Sequence, residues 1–385
     1  MNREDQLQDA KARLQTLLGF LELDPSNLPL LADAANAAFD ASEFDLAESL
    51  IVRYEDNAAL PLPLVNTRGL VALRAGRLPD AEVAFDLLIS EGVTEPSVRF
   101  NRAWVHALRN EHSEALVLLD DNTVAVTPRA AALKVQTLHH LGQIEEALAC
   151  GQGMAERFPG NDALLGALSV AAMDADDIEL AGHYAGQASG GADAWTTQGL
   201  IRLNEDDVAG SMEYFDRALG EHPDAPRAWL GKGLGLLAAG EISEAMVALE
   251  RGAEIFGTHL GSWIAVGWTQ FIAKDLKAAR ATFEKALALD ENFAETHGAL
   301  AVLDIADGQL ESAKRRADVA FRLDRECFGA MLAKMLLQQA GGNAAAAQRI
   351  WDRAMHLPAG ANGKTLAQSM IGLGMNPGPR GGSSA

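Results

Sequence analysis

The sequence contains few cysteines, few aromatic residues and no long apolar run. Cys150 and Cys327 are the only cysteines among 385 residues, so neither a disulfide framework nor a zinc site built from Cys-x-x-Cys pairs is available. Aromatic residues make up 6% of the chain, which argues against a β-sandwich or a β-barrel. Because no stretch approaches the roughly 18 apolar residues of a membrane-spanning helix, membrane insertion is not expected.

Basic residues are scarce relative to acidic ones. The chain has 32 Lys and Arg against 53 Asp and Glu, which gives a net charge of −21. Surfaces that bind phosphate groups need clusters of Lys and Arg, so this balance disfavours nucleic acids and anionic lipids as partners.

The amino terminus lacks the basic start and apolar run of a secretory signal, which predicts a cytoplasmic location. With 48% hydrophobic residues, the composition favours a folded, all-helical protein.

An internal period of 34 residues organises the chain. Trp195, Trp229, Trp263 and His297 recur at that spacing. Three further columns follow this one. Four residues later the residues are small: Gly199, Gly233, Gly267 and Ala301. Twenty residues later they are mostly large (Phe215, Leu249, Phe283 and Ala317), and twenty-three residues later they are small again (Ala218, Gly252, Ala286 and Ala320). Such a pattern predicts two antiparallel helices per unit, with the large residue filling the space beside the small ones. One unit cannot bury its apolar face alone, so neighbouring units must stack.

These columns resemble the tetratricopeptide repeat family. The copy that begins at Trp195 has Gly199, Phe215, Ala218 and Pro223 at the family's positions. Departures occur where the family has tyrosine, because this chain has Arg202, Leu236 and Gln270 there. The resemblance implies an all-α fold, a right-handed α-solenoid (superhelix) of about ten repeats in residues 27–359.

Weaker copies extend the frame towards the amino terminus. The alanine of the second helix recurs at Ala47, Ala81, Ala115, Ala147 and Ala181. The next step is shorter and contains Ser189-Gly190-Gly191, a loop signal. The predicted organisation is therefore an N-terminal capping helix in 1–26, repeats in 27–190 and 191–359, a C-terminal capping helix in 360–375 and a disordered tail in 376–385.

The resemblance also implies a concave groove lined by the first helix of each repeat. In the second half of the chain, the predicted groove is mostly apolar and consists of Leu234, Leu237, Ile264, Trp268, Phe271, Ile272, Val302, Ile305, Leu332 and Leu336. In the first half it is mixed and includes Asn66, Asn101, Trp104 and Arg129. We expect Trp268 and Phe271 to anchor a partner. The alternative is that these apolar residues are simply buried between adjacent repeats.

Catalytic and metal-binding patterns are weak, so no catalytic residue, metal or cofactor is predicted. His139 and His140 have Gln143 and Ile144, not a His or carboxylate, one helical turn later. Cys150 and Cys327 have no adjacent base in the sequence that would activate a thiol.

Because repeats occupy nearly the whole chain, the sequence favours a non-catalytic protein–protein interaction scaffold or chaperone-like adaptor. Its groove would bind a peptide or helix of another protein. Alternatives are a bacterial secretion or assembly chaperone, which the Ala/Leu/Gly/Asp-rich composition suggests, and the regulatory subunit of an enzyme complex. Self-association is a further alternative, in which a second copy or the chain's own Leu366–Met375 segment fills the groove.

Overall fold

The computed structural model describes residues 3–356, and every regular element in that range is an α-helix. The helices are α1 (Arg3–Leu23), α2 (Leu28–Asp40), α3 (Phe44–Glu55), α4 (Leu62–Arg74), α5 (Leu78–Ser90), α6 (Pro96–Leu108), α7 (His112–Leu118), α8 (Asp121–Val126), α9 (Pro128–His140), α10 (Ile144–Arg157), α11 (Asp162–Asp174), α12 (Ile178–Gln187), α13 (Ala192–Asn204), α14 (Val208–Glu221), α15 (Pro226–Ala238), α16 (Ile242–Phe256), α17 (Leu260–Ile272), α18 (Leu276–Leu289), α19 (Ala294–Ala306), α20 (Leu310–Leu323), α21 (Phe328–Ala340) and α22 (Ala344–Met355).

The helices form ten consecutive hairpins, as the period predicts. The first hairpin is α2–α3, the last is α21–α22, and the short α8 is inserted between α7 and α9. Helix α1 precedes the hairpins and packs Leu14 and Leu21 against Leu31 of α2. The chain is therefore an α-solenoid of helical repeats. The predicted capping helix in 360–375 and the tail in 376–385 lie outside the described residues.

Each hairpin turn has one residue with positive φ, which reverses the chain after the first helix. These residues are Ser42, Gly76, Asn110, Gly142, Asp176, Asp206, Gly240, Lys274, Gly308 and Gly342. Their spacing reproduces the sequence period, including the 32-residue step from Ala115 to Ala147 and the 30-residue step that follows Ala181, because each turn needs the same left-handed conformation. The repeat is thus built into the backbone as well as into the side chains.

The hairpins pack through the small and large columns that the sequence predicts. Phe215 on α14 is fully buried. A Cβ on Gly199 of α13 would lie 2.6 Å from the Phe215 ring, and a Cβ on Gly231 of α15 would also collide with that ring. The ring therefore occupies the space left by glycines on two successive first helices, and this confirms the predicted role of both columns.

Two compact units make up the chain: one ends at Pro159 and the other begins at Gly160. The division of the repeats at 190/191 stays a prediction. The loop predicted there is present between α12 and α13, where Ser189 donates its backbone N–H to Asp162 at 2.7 Å and Gly191 has a φ of 104°. None of the described helices combines the length and the apolar character needed to cross a bilayer.

Candidate functional site

Predicted groove residues of the second unit fall into three classes of exposure. Leu234 on α15 and Ile272 on α17 are exposed, with 41% and 46% of their surface accessible. The partly buried group consists of Leu237, Trp268, Phe271, Ile305, Leu332 and Leu336. Ile264 and Val302 are buried. Equivalent positions in the repeat thus differ in how much surface they offer to a partner.

Five of the partly buried residues, Trp268 among them, belong to one cluster, and we call the other four the apolar strip. Phe271 of α17, Ile305 of α19, and Leu332 and Leu336 of α21 pack on a common base that includes the buried Val302. The strip therefore runs over the first helices of three consecutive hairpins. A contiguous, partly exposed apolar surface of this kind is typical of a protein interaction site.

Trp268 is held by contacts within the protein. Its ring meets those of Phe271, Phe283 and Phe328 edge to face, at centroid distances of 5.6, 5.5 and 6.0 Å. Its indole Nε1 donates a hydrogen bond to Glu295 Oε1 at 3.1 Å. For Trp268, as for Ile264 and Val302, the packing favours the alternative that these residues are buried between repeats. The predicted role of Trp268 as an anchor stays untested.

The acceptor of that hydrogen bond, Glu295, joins three first helices. Oε1 accepts from Trp268 on α17, while Oε2 accepts from the Cys327 thiol and from the backbone N–H of Gly329, both at 3.0 Å. Burial raises the pKa of Glu295, and the three donors offset part of this effect. Burial and the adjacent Glu295 carboxylate also raise the pKa of Cys327, so its thiol is a poor nucleophile. The cluster is structural, and the sequence analysis missed it.

We expect Glu295 to make stability depend on pH. A carboxyl whose pKa is higher in the folded state binds a proton more tightly there, so its contribution to stability is greatest below its unfolded-state pKa of about 4.3. That contribution is lost as the pH rises through the higher folded-state pKa. Urea unfolding of the wild type and Glu295→Gln between pH 4 and 8 should show the wild type losing stability relative to the variant as the pH rises. Parallel pH profiles would contradict this prediction.

In the first unit, the predicted groove residues lie on α4, α6 and α9. Asn66 and Asn101 are partly buried, whereas Trp104 and Arg129 are exposed. Trp104 packs against Phe100 on the same helix, with ring centroids 5.9 Å apart. The Oδ1 atom of Asn66 is buried without a hydrogen-bond partner among the described residues.

The histidine pair of α9 has a packing contact that the sequence did not predict. His140 stacks on His112 of α7, with ring centroids 4.5 Å apart and planes inclined by 6°. Burial lowers the pKa of His112, so its ring is neutral at pH 7. Within residues 3–356, no group of three His, Cys, Asp or Glu side chains is placed to hold a metal ion.

Comparisons with known proteins agree with this architecture. The family model described as tetratricopeptide repeat matches residues 260–293, which comprise α17 and α18. No curated protein matches the chain. One similar solved structure is the APC/C hetero-tetramer Cut9–Hcn1, at 14% identity and a TM-score of 0.59, over 92% of this chain and 80% of that one. Another is the human IFIT1 dimer with m7Gppp-AAAA, at 13% identity and a TM-score of 0.52, over 92% of this chain and 95% of that one.

At these identities the two structures show a common fold and nothing more. The matched repeat, however, is one of ten hairpins that share the same turn geometry and spacing. Residues 260–293 are therefore a tetratricopeptide repeat, and the described part of the chain consists of ten hairpins of that architecture.

Proposed function

We propose that the protein is a non-catalytic interaction scaffold that binds an apolar segment of another protein along the apolar strip. The single observation that carries the proposal is the continuity of Phe271, Ile305, Leu332 and Leu336 over three hairpins. Repeat proteins of this family are generally interaction scaffolds. An amphipathic helix or an extended peptide with apolar side chains fits a surface of this kind.

Exposed apolar residues on the first helices of the second unit supply the energetic argument. Leu234 and Ile272 lie on the first helices α15 and α17 and are 41% and 46% exposed. Removing apolar surface from water contributes roughly 25 cal/mol per Å². A partner that covers these two side chains together with the strip gains most of its binding energy from apolar contact. A secretion or assembly chaperone and a regulatory subunit are narrower versions of this role, and neither is favoured by a specific contact.

The test compares three single substitutions in capture experiments from cells of the source organism. Leu234→Glu and Ile272→Glu each place a charge on an exposed apolar position of a first helix in the second unit, and both should lose the proteins that the wild type retains. Val247→Glu is the matched control, because Val247 is 67% exposed and lies on the second helix α16. It should capture the same proteins as the wild type. All four proteins should melt at similar temperatures, since the substituted residues are exposed.

Quantitative mass spectrometry of the captured proteins decides the outcome. If the two groove variants capture the same set as Val247→Glu and the wild type, the strip is not the binding surface and the proposal is wrong.

A further inference from the structure

Acidic residues are unevenly distributed over the helices of the first unit. The first helices α4, α6 and α9 contain no Asp or Glu. The second helices α3, α5, α7 and α10 all contain carboxylates. Residues 1–159 have 24 Asp and Glu against 13 Lys and Arg. The three consecutive first helices are therefore a locally basic surface on a strongly acidic unit.

Two arginines on this surface are available to a partner. Arg74 is the last residue of α4, and Arg129 is the second residue of α9. Both are exposed, and neither pairs with a carboxylate within the described residues. The other Lys and Arg residues of these helices do form such pairs, namely Arg68, Arg99, Arg102 and Lys134.

Helix α6 lies between α4 and α9 and presents an apolar row. Phe100, Trp104 and Leu108 follow at intervals of four residues, so they lie on one face of the helix. Trp104 is 37% exposed and Leu108 is 49% exposed, and Phe100 packs against Trp104. First helices of successive hairpins run parallel, so Arg74 is at the carboxyl end of this surface and Arg129 is at its amino end.

We propose that this surface binds an acidic amphipathic segment of another protein. The apolar side of the segment covers Phe100, Trp104 and Leu108, and its Asp or Glu residues pair with Arg74 and Arg129. The inference rests on the proposed scaffold function, but it concerns a different unit and a ligand of different charge from the apolar strip.

Charge selects the class of ligand. Charge interactions are screened beyond about 8 Å at physiological salt, so the two unpaired arginines determine the local attraction. A nucleic acid has a charge on every phosphate and needs many more cations than two. The carboxylates on the surrounding helices and turns repel such a polyanion. A peptide whose acidic residues are few and flank an apolar row matches the surface, and aromatic and Arg side chains are the usual anchors of protein interfaces.

The test is a selection from a phage-displayed library of random 16-residue peptides against the full chain. Peptides enriched on the wild type should contain Asp or Glu next to Trp, Phe or Leu. Their affinity should fall about tenfold on the Arg74→Glu/Arg129→Glu double variant, because two attractive charge pairs become repulsive. It should also fall on Trp104→Ala.

A matched control separates local contact from long-range charge. Lys11 and Arg13 on α1 are exposed and have no ion pair within the described residues. The Lys11→Glu/Arg13→Glu double variant changes the net charge of the first unit by the same amount, so it should bind the selected peptides as the wild type does. The Leu234→Glu variant should also bind them normally, because it alters only the second unit.

Four results would overturn the proposal: selection of no peptide, no enrichment of acidic residues, equal loss of affinity in the two double variants, or tighter binding of a 12-nucleotide uridine oligonucleotide than of the selected peptides. The first three leave the apolar strip of the second unit unaffected, so they are distinct from failure of the proposed scaffold function.

Discussion

Replacing Phe215 with alanine should destabilise the second unit by about 3–5 kcal/mol, the usual cost of removing a large buried side chain. Phe215 is fully buried, and its ring lies against Gly199 and Gly231. Neither glycine has a side chain that could move into the space, so the cavity cannot close by small rotations. Because the ring contacts α13 and α15 from α14, the substitution loosens two successive hairpins.

Urea unfolding and amide hydrogen exchange measure this effect. Exchange should speed up most in α13, α14 and α15, since solenoid repeats are stabilised mainly by their nearest neighbours. Val247→Ala on α16 is the control, because an exposed side chain of 67% accessibility should cost less than about 0.5 kcal/mol. Equal unfolding midpoints for the two variants would show that Phe215 does not hold the hairpins together.

Asp304→Ala should cost about 3 kcal/mol, because it removes the common partner of two arginines. Asp304 on α19 is 1% exposed. Its carboxylate lies 2.9 Å from Arg280 Nη2 and 3.2 Å from Arg316 Nε, and it accepts a hydrogen bond from Ser312 Oγ at 2.7 Å. Breaking a buried ion pair costs about 3–5 kcal/mol. The lower value is expected since both arginines are partly exposed and regain contact with water.

An exposed ion pair between the same hairpin and the next one provides the control. Asp318 pairs with Lys334 at 2.7 Å on the surface, and Asp318→Ala should cost less than about 1 kcal/mol. A double-mutant cycle of Asp304→Ala with Arg280→Ala then isolates the coupling between the two charges. If Asp304→Ala and Asp318→Ala lower the free energy of unfolding by the same amount, burial does not increase the contribution of the Asp304 ion pairs to stability.

Local patterns in the sequence were sufficient to predict the hairpins. The small and large columns recur at fixed spacing, and residues such as Gly199 and Phe215 meet because the spacing places them on facing helices. Helix α1 and the loop at Ser189 were also predicted from local signals. These features depend on neighbours within one or two repeats, where periodicity determines which residues meet.

The clusters of charged residues were not predictable in the same way. Glu295 meets Trp268 and Cys327, which are 27 and 32 residues away, and no period identifies a polar residue as a link between repeats. Asp304 occupies the column in which the family has tyrosine. An aspartate at that position would be expected on the surface, yet Asp304 is buried. A buried carboxylate in a repeat column becomes understandable only when Arg280 and Arg316 are seen beside it.

Periodicity also failed to separate groove residues from residues packed between repeats. The backbones of α19 and α21 approach so closely that a Cβ on Gly298 would collide with the backbone of Ala330. This approach buries Val302 and leaves Ile305, Leu332 and Leu336 partly open. Leu234 and Val302 therefore occupy the same position of their repeats, although Leu234 is exposed and Val302 is buried. The distance between successive first helices varies along the chain. This distance decides how much of each side chain a partner could contact.

Site-specific photo-crosslinking in cells tests the central claim most directly. A benzoylphenylalanine residue at position 234 or 272, on a first helix of the second unit, should crosslink to a segment of another polypeptide. The same residue at position 247, on a second helix, should not. Crosslinks of equal yield from all three positions, or none from positions 234 and 272, would contradict the claim that the first helices of the second unit bind a protein partner.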